Sequence, residues 1–198
     1  MNWYASKRAI VARLDGIVER LATAGVAPDT VTLAALPVAV AGGICIAISP
    51  LAPIALVLVP VAAGLRLFLN LIDGALARAT GRGHPRGEVL NEVGDRLADI
   101  ALIAPVAFVP GVQRETVLLG LCGGVVASFI GLASRAAGGP RLLGGILSKP
   151  GRMALLAAFA IAVLVIGPGA WAPFGPLLLI GTSLTALERL GAALRALP

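Results

Sequence analysis

Two short runs of this chain set carboxylates, amides and a guanidinium at helical spacing. In the first, Asn70 and Asp73 are three residues apart and share a helix face, with Arg78 on the turn beyond. In the second, Asn91, Asp95 and Asp99 recur at every fourth residue and form one polar stripe. The segment between them, Gly81-Arg82-Gly83-His84-Pro85-Arg86-Gly87, is short enough to bring the two stripes face to face. Carboxylates and amide oxygens converging from two helices suit a hard cation such as Mg²⁺ or Mn²⁺. Arg78 suits phosphate oxygens, because its planar fork can donate two hydrogen bonds. Gly74 removes a side chain beside Asp73, so a ligand or another backbone can approach closely. The same groups could instead pair with one another and merely hold the helices together.

The elements that must position these residues are strongly apolar. The chain has 198 residues, of which 58% are hydrophobic and 13% charged, and its mean hydropathy is +0.96. Soluble domains carry about 25% charged residues, so this chain has too little polar surface to cover a soluble fold. A bilayer is the solvent that its long apolar runs require. Spans are expected over about 30–49, 52–80, 88–110, 115–136, 153–168 and 173–195, each near the roughly 20 residues a crossing needs. Asp29 or Thr30 is the expected cap of the first. Residues 4–24 read as an amphipathic helix, with Ile10, Leu14, Ile17, Val18 and Leu21 at helical spacing and Lys7, Arg8, Arg13, Asp15, Glu19 and Arg20 on other faces. Such a helix fits the membrane interface, or packs against the protein's own polar loops. The expected fold is an all-α integral membrane protein with six transmembrane helices over 28–198, preceded by an N-terminal amphipathic interfacial helix within a juxtamembrane segment, 1–27.

The charge pattern sets orientation. The net charge is +6, but the basic residues cluster at the ends of apolar segments, a topology signal that argues against a nucleic-acid partner. The connections near 50, 111–114 and 168–176 carry Arg114 alone, whereas the opposite set and the termini carry most of the remaining Lys and Arg. The excess of positive charge therefore puts both termini and the polar stripes in the cytosol. The charged first twenty residues do not read as a cleavable signal peptide, and insertion is expected through the first span. Cys45 and Cys122 fall in apolar segments with neither zinc-like nor disulfide spacing. Intramembrane charge also occurs in transporters, but the chain has no evident internal repeat.

The stripes carry a longer pattern. Asp73-Gly74-x-x-Ala77-Arg78, eight residues, Gly87, three residues, Asn91, three residues and Asp95 resembles the CDP-alcohol phosphatidyltransferase signature, D-x2-D-G-x2-A-R-x8-G-x3-D-x3-D. The resemblance extends to Pro28-Asp29-Thr30-Val31-Thr32, the six-span layout and the basic stretch after the fourth span. It implies a transferase in the inner membrane of a bacterium. Facing the cytosol, it would pass the phosphatidyl group of a CDP-linked lipid, usually CDP-diacylglycerol, to an alcohol and release CMP.

Carried over by position, Asn70, Asp73, Asn91 and Asp95 fall at the metal ligands, and Asp95 also at the general base. Gly74 and Arg78 fall at contacts to the CDP moiety, Ala77 and Gly87 where room is left for the nucleotide, and Asp29, Thr30 and His84 where the family touches it. A divalent cation, Mg²⁺ or Mn²⁺, and a homodimer are implied by the same resemblance. The chain departs from the signature at Asn70 and Asn91, where the family has aspartates that bridge two metals. An amide oxygen can coordinate a hard cation but brings no negative charge, so whether one ion or two are held is open. The paired change, with the rest of the signature kept, resembles a bacterial subgroup of the family. A weakly catalytic CDP-lipid-binding paralogue, acting as sensor or subunit, is the alternative to an active enzyme.

Arg66, one turn before Asn70, could supply a fixed positive charge near the metal ligands, pair with Glu92 or Asp99, or snorkel to the cytosolic interface. Arg135, Arg141, Lys149, Arg152 and Arg189 form a basic group able to hold a phosphorylated or otherwise anionic acceptor, although topology and anionic lipid explain basic residues there as well. Lys149 and Arg152 are favoured, because Lys149-Pro150-Gly151-Arg152 is similar to a basic-Pro-x-Arg segment of the family.

Overall fold

A computed structural model describes residues 14–197, and among them every regular element is helical. In chain order these are α1 (Asp15–Thr23), α2 (Pro28–Ile48), α3 (Leu58–Thr80), α4 (Pro85–Ile103), α5 (Arg114–Ala136), α6 (Lys149–Ile166) and α7 (Phe174–Ala196), with single 3-10 turns at Pro53–Val57, Ala104–Phe108 and Pro168–Trp171. Five stretches are long and apolar enough to cross a membrane: Pro28–Ile48, Pro53–Thr80, Arg114–Ala136, Lys149–Ile166 and Pro168–Ala196. The third expected span, α4, is not among them, although its 19 residues give a length of about 28 Å. Arg86, Glu88, Glu92, Asp95, Arg96 and Asp99 all fall on it, so it is polar as far as Asp99 and only its last turn, Ile100–Ile103, is wholly apolar. Helix α2 begins two or three residues earlier than a cap at Asp29 or Thr30 would place it, with Ala27 at the N-cap position. Pro28 stands at the first helical position, where its missing N–H costs nothing, and Asp29 lies in the first turn.

Two apolar clusters organise the bundle. The larger joins Ile46, Leu56, Leu102, Val106, Val117, Leu156, Trp171 and Phe174, at the end remote from the polar stripes. Edge-on contacts of Phe174 with Trp171 and Phe159, both at 5.5 Å between ring centroids, lock that end. The smaller cluster packs Val18 of α1 against Val31 of α2 and Ile72, Ala75 and Leu76 of α3. The described part of the N-terminal amphipathic helix thus buries its apolar face on the protein itself. Lys7, Arg8, Ile10 and Arg13 of that expected helix lie outside the described residues.

One polar contact ties the helices where the stripes lie. Asp99 of α4 is 2% exposed and accepts from Arg66 Nη1 of α3 and from Arg152 Nη2 of α6, each at 2.5 Å. Arg66 is 0% exposed and Arg152 2%, so neither reaches an interface, and the partner of Arg66 is Asp99 and not Glu92. Arg66 also donates from Nη2 to the backbone oxygen of Asp95 at 2.7 Å. Asp99→Asn should therefore leave two buried guanidiniums without their counter-charge and destabilise the fold by about 3–5 kcal/mol, read as a lower thermal unfolding midpoint in detergent. Gly64→Ala is the control. Its added methyl meets nothing within 4 Å, and it should be neutral or stabilising by up to about 1 kcal/mol.

Candidate active site

Two adjoining cavities open at the polar end, and Asp73, Gly74 and Asn91 line both. The first, about 420 Å³, lies between the N-termini of α2 and α4 and the last turns of α3. Of the residues expected at a nucleotide, Asp29, Gly74, Ala77, His84 and Gly87 line it, whereas Thr30 and Arg78 do not. Thr32 faces it in place of Thr30, and its Oγ1 donates to Asp73 Oδ2 at 2.7 Å. Helix periodicity explains the difference, since two residues along a helix turn a side chain through roughly half a circle. Arg78 is exposed and lies over Gly74, where an added Cβ would meet only Arg78 Nη1, at 3.4 Å. No other side chain needs the space at Gly74, although it borders both cavities.

His84 is the N-cap of α4. Its Nδ1 accepts from the Gly87 N–H at 3.0 Å, which leaves the proton on Nε2, 3.3 Å from Asp29 Oδ2. Both ring nitrogens are thereby engaged, and the imidazole is a positioned wall of the cavity. A side chain at Gly87 would meet Asp29 Oδ1 at 2.8 Å, so that glycine is what lets α4 start against α2. Gly81, with φ of 64°, makes the reversal that returns the chain from α3. Two helix N-termini consequently face one cavity, and their dipoles favour an anion there, although the Gly87 N–H is taken by His84 and the Thr30 N–H by the Ala27 carbonyl. Arg82, which also lines this cavity, has no carboxylate partner among the described residues.

The second cavity, about 340 Å³, is bordered by Asn70, Asp95, Arg141, Lys149, Arg152 and Arg189. Arg135 stands outside it, exposed and paired with Glu88. Here the cations are committed. Lys149 Nζ donates to Asp95 Oδ1 at 2.5 Å, Arg152 holds Asp99 and the Leu147 carbonyl, and Arg141 pairs with Glu92 and, at 3.6 Å, with Glu88. Arg189 donates to the carbonyls of Ala127, Leu143 and Gly144 at 2.7, 2.9 and 2.8 Å. The loop between α5 and α6 is thus clipped from one side by Arg189 and from the other by Arg141. Neither this clip nor the place of Arg82 was expected from the sequence. The only local hint was Glu88, Glu92 and Arg96 at successive i,i+4 positions, of which Glu92 and Arg96 pair at 2.6 Å.

The expected metal ligands come together with a particular bonding pattern. Asn70 Nδ2 donates to Asp95 Oδ1 at 3.0 Å and to Asn91 Oδ1 at 3.3 Å, and Asn70 Oδ1 is buried without a partner. Arg66 Nη2 approaches Asp95 Oδ1 to 3.8 Å. Among the described residues no three His, Cys, Asp or Glu side chains are grouped to hold a metal. What remains is two carboxylates, Asp73 and Asp95, with amide oxygens beside them. That donor set fits one hard cation of the kind held by one or two carboxylates plus ligand phosphates. It does not fit a carboxylate-bridged pair. Unit charges 4 Å apart repel by about 4 kcal/mol at an effective dielectric of 20, and a divalent ion beside the Lys149 ammonium doubles that.

No protein-family model matches the chain. Individual relatives do. The chain is 32% identical over 140 residues to inner membrane protein YnbA of Escherichia coli, covering 71% of this chain and 69% of that one. It is 32% identical over 163 residues to the phosphatidylinositol phosphate synthase of Mycolicibacterium smegmatis, covering 78% of this chain and 71% of the synthase. In fold it is similar to the phosphatidylinositol phosphate synthase of Mycobacterium tuberculosis with CDP-DAG bound, at TM-score 0.74 and 24% identity over 90% of this chain and 92% of that one. The same protein in complex with manganese and citrate gives an equal TM-score. With the signature residues gathered at the mouth of that shared bundle, and relatives of this closeness along most of the chain, the protein belongs to the CDP-alcohol phosphatidyltransferase family.

Proposed function

We propose that the chain transfers the phosphatidyl group of a CDP-linked lipid, CDP-diacylglycerol in the first instance, to an alcohol with release of CMP, in phospholipid biosynthesis. The observation that carries this reading is the pair of adjoining cavities meeting at Asp73, Gly74 and Asn91. The first takes the nucleotide, its phosphates toward Arg82 and the N-termini of α2 and α4, with His84 and Thr32 fixing Asp29 and Asp73 as its walls. The acyl chains lie along the apolar helices. The second takes the acceptor alcohol, presented to Asp95.

The acceptor hydroxyl attacks the lipid-linked phosphorus, a new P–O ester bond forms, the phosphoanhydride bond to CMP breaks, and the hydroxyl proton passes to the Asp95 carboxylate. Asp73, Asp95 and the amide oxygens would hold a divalent ion, Mg²⁺ or Mn²⁺, which when bound neutralises the pyrophosphate. Arg66 fixes the backbone at Asp95 and so holds its carboxylate toward the acceptor. The double-Asn signature is then that of a bacterial subgroup of the family, with the nucleotide half of the signature kept and the metal half altered. In this reading α4 is the sixth crossing, its charges covered by α3, α6 and the α5–α6 loop. The site then opens to the cytosolic face of a bacterial inner membrane, with α1 at that face and a second copy of the chain as partner.

Purified protein should transfer label from CDP-diacylglycerol to one of a panel of alcohols and sugar phosphates, with stoichiometric CMP release. No turnover with any divalent ion, alongside retained lipid binding, would leave a binding paralogue in its place. Asp95→Asn should lower turnover by about 10²–10⁴-fold while CDP-lipid binding persists. Gly74→Ala should leave the unfolding midpoint unchanged or slightly raised but increase KM for the CDP-lipid, since the added methyl enters ligand space and not protein.

A further inference from the structure

The four positions that would carry a pair of bridged metals are internally closed in this chain. Asn70 Nδ2 links Asn91 Oδ1 and Asp95 Oδ1 by hydrogen bonds of 3.3 and 3.0 Å. The same Asp95 oxygen receives the Lys149 ammonium at 2.5 Å and the edge of the buried Arg66 guanidinium at 3.8 Å. One carboxylate oxygen therefore already faces an amide N–H and two cations. Asp73, by contrast, is met by the neutral Thr32 hydroxyl and, among the described residues, by no cation within ion-pair distance. Positive charge is thus supplied by the protein on one side of the site and left to be supplied on the other. Lys149 is placed for this by its position. It opens α6, three residues before Arg152, whose hold on Asp99 sets α6 one turn along from Asp95.

We propose that the Lys149 ammonium takes the place of one divalent ion at Asp95, so that the chain binds a single metal ion with its CDP-lipid and uses a built-in cation in place of the second. Lys149 then faces the phosphates and Asp95 together, and its task is charge at the reaction centre more than capture of an anionic acceptor. The two amides and the lysine form one device: amides at both bridging positions remove the charge that would demand a second ion, and the ammonium balances the carboxylate that remains. This rests on the reading of the cavities as a CDP-lipid site.

The test counts Mn²⁺ by electron paramagnetic resonance on the purified full chain in detergent, with CDP-diacylglycerol binding measured in parallel. Wild type with lipid should hold one Mn²⁺ per chain and give the six-line signal of an isolated ion. Asn70→Asp/Asn91→Asp/Lys149→Met should hold two with a spin-coupled spectrum. Asn70→Asp/Asn91→Asp, which keeps the lysine, should bind its second ion at least about tenfold more weakly than that triple variant, a difference of about 1.4 kcal/mol. A coupled pair in the wild type, no ion with lipid bound, or an equal second affinity in the two variants would overturn the proposal. The wild-type arm decides it even where a variant fails to fold. Absence of CDP-diacylglycerol binding in the wild type would overturn it together with the lipid-site reading, and is recognised by the parallel binding measurement.

Discussion

The structure depends on Asp99 being shared between Arg66 and Arg152. Each of the three groups is buried, and a single charge left there without its partner is strongly unfavourable. The carboxylate has two oxygens and each takes one guanidinium at 2.5 Å. This adds an ionic constraint on the height and rotation of α3, α4 and α6 to the one that close apolar packing sets. Here a slip by a turn would separate ions. Asp95 lies one turn from Asp99, Asn70 one turn from Arg66 and Lys149 one turn from Arg152, so each partner in the ionic clasp carries a site residue directly above it.

The two cavities differ in what their charges are free to do. Around the first, Arg82 has no carboxylate partner among the described residues and the dipoles of two helices point inward, so the protein holds attraction in reserve for an anion. Around the second, Lys149, Arg152 and Arg141 are bound to carboxylates and Arg189 to three carbonyls. An acceptor entering there meets groups already satisfied, and must compete for them or be recognised through hydroxyl groups. Committed cations still shape the space. Arg189 and Arg141 hold the α5–α6 loop across the cavity as its far wall.

Much of this was legible in the sequence because two of its signals are local. Apolar runs mark spanning helices by composition alone, and the spacings of Asn70, Asp73, Asn91 and Asp95 mark polar faces by periodicity alone. The reversal at Gly81 was readable for the same reason. Contacts between elements were not. Thr32 meets Asp73 across 41 positions, Arg66 meets Asp99 across 33 and Lys149 meets Asp95 across 54. Each depends on how helices are rotated about their axes, which no local pattern sets. Thr30 and Thr32 are equal as residue types, and only the facing of α2 separates them. Helix α4 shows the other limit. Its charges disqualify it as a crossing by composition, and only their pairing with α3, α6 and the α5–α6 loop makes its polarity intelligible.

The wall common to both cavities consists of Asp73, Asn91 and the bare backbone at Gly74. In the proposed reading, a single molecule joining the CDP-lipid head to the acceptor would pass beside that glycine and occupy both chambers at once. Joining two weak fragments in this way turns the second association into an intramolecular one, with an effective concentration of the order of millimolar for a short linker. The joint of such a molecule would sit at Gly74, where an added Cβ meets only the flexible end of Arg78, at 3.4 Å.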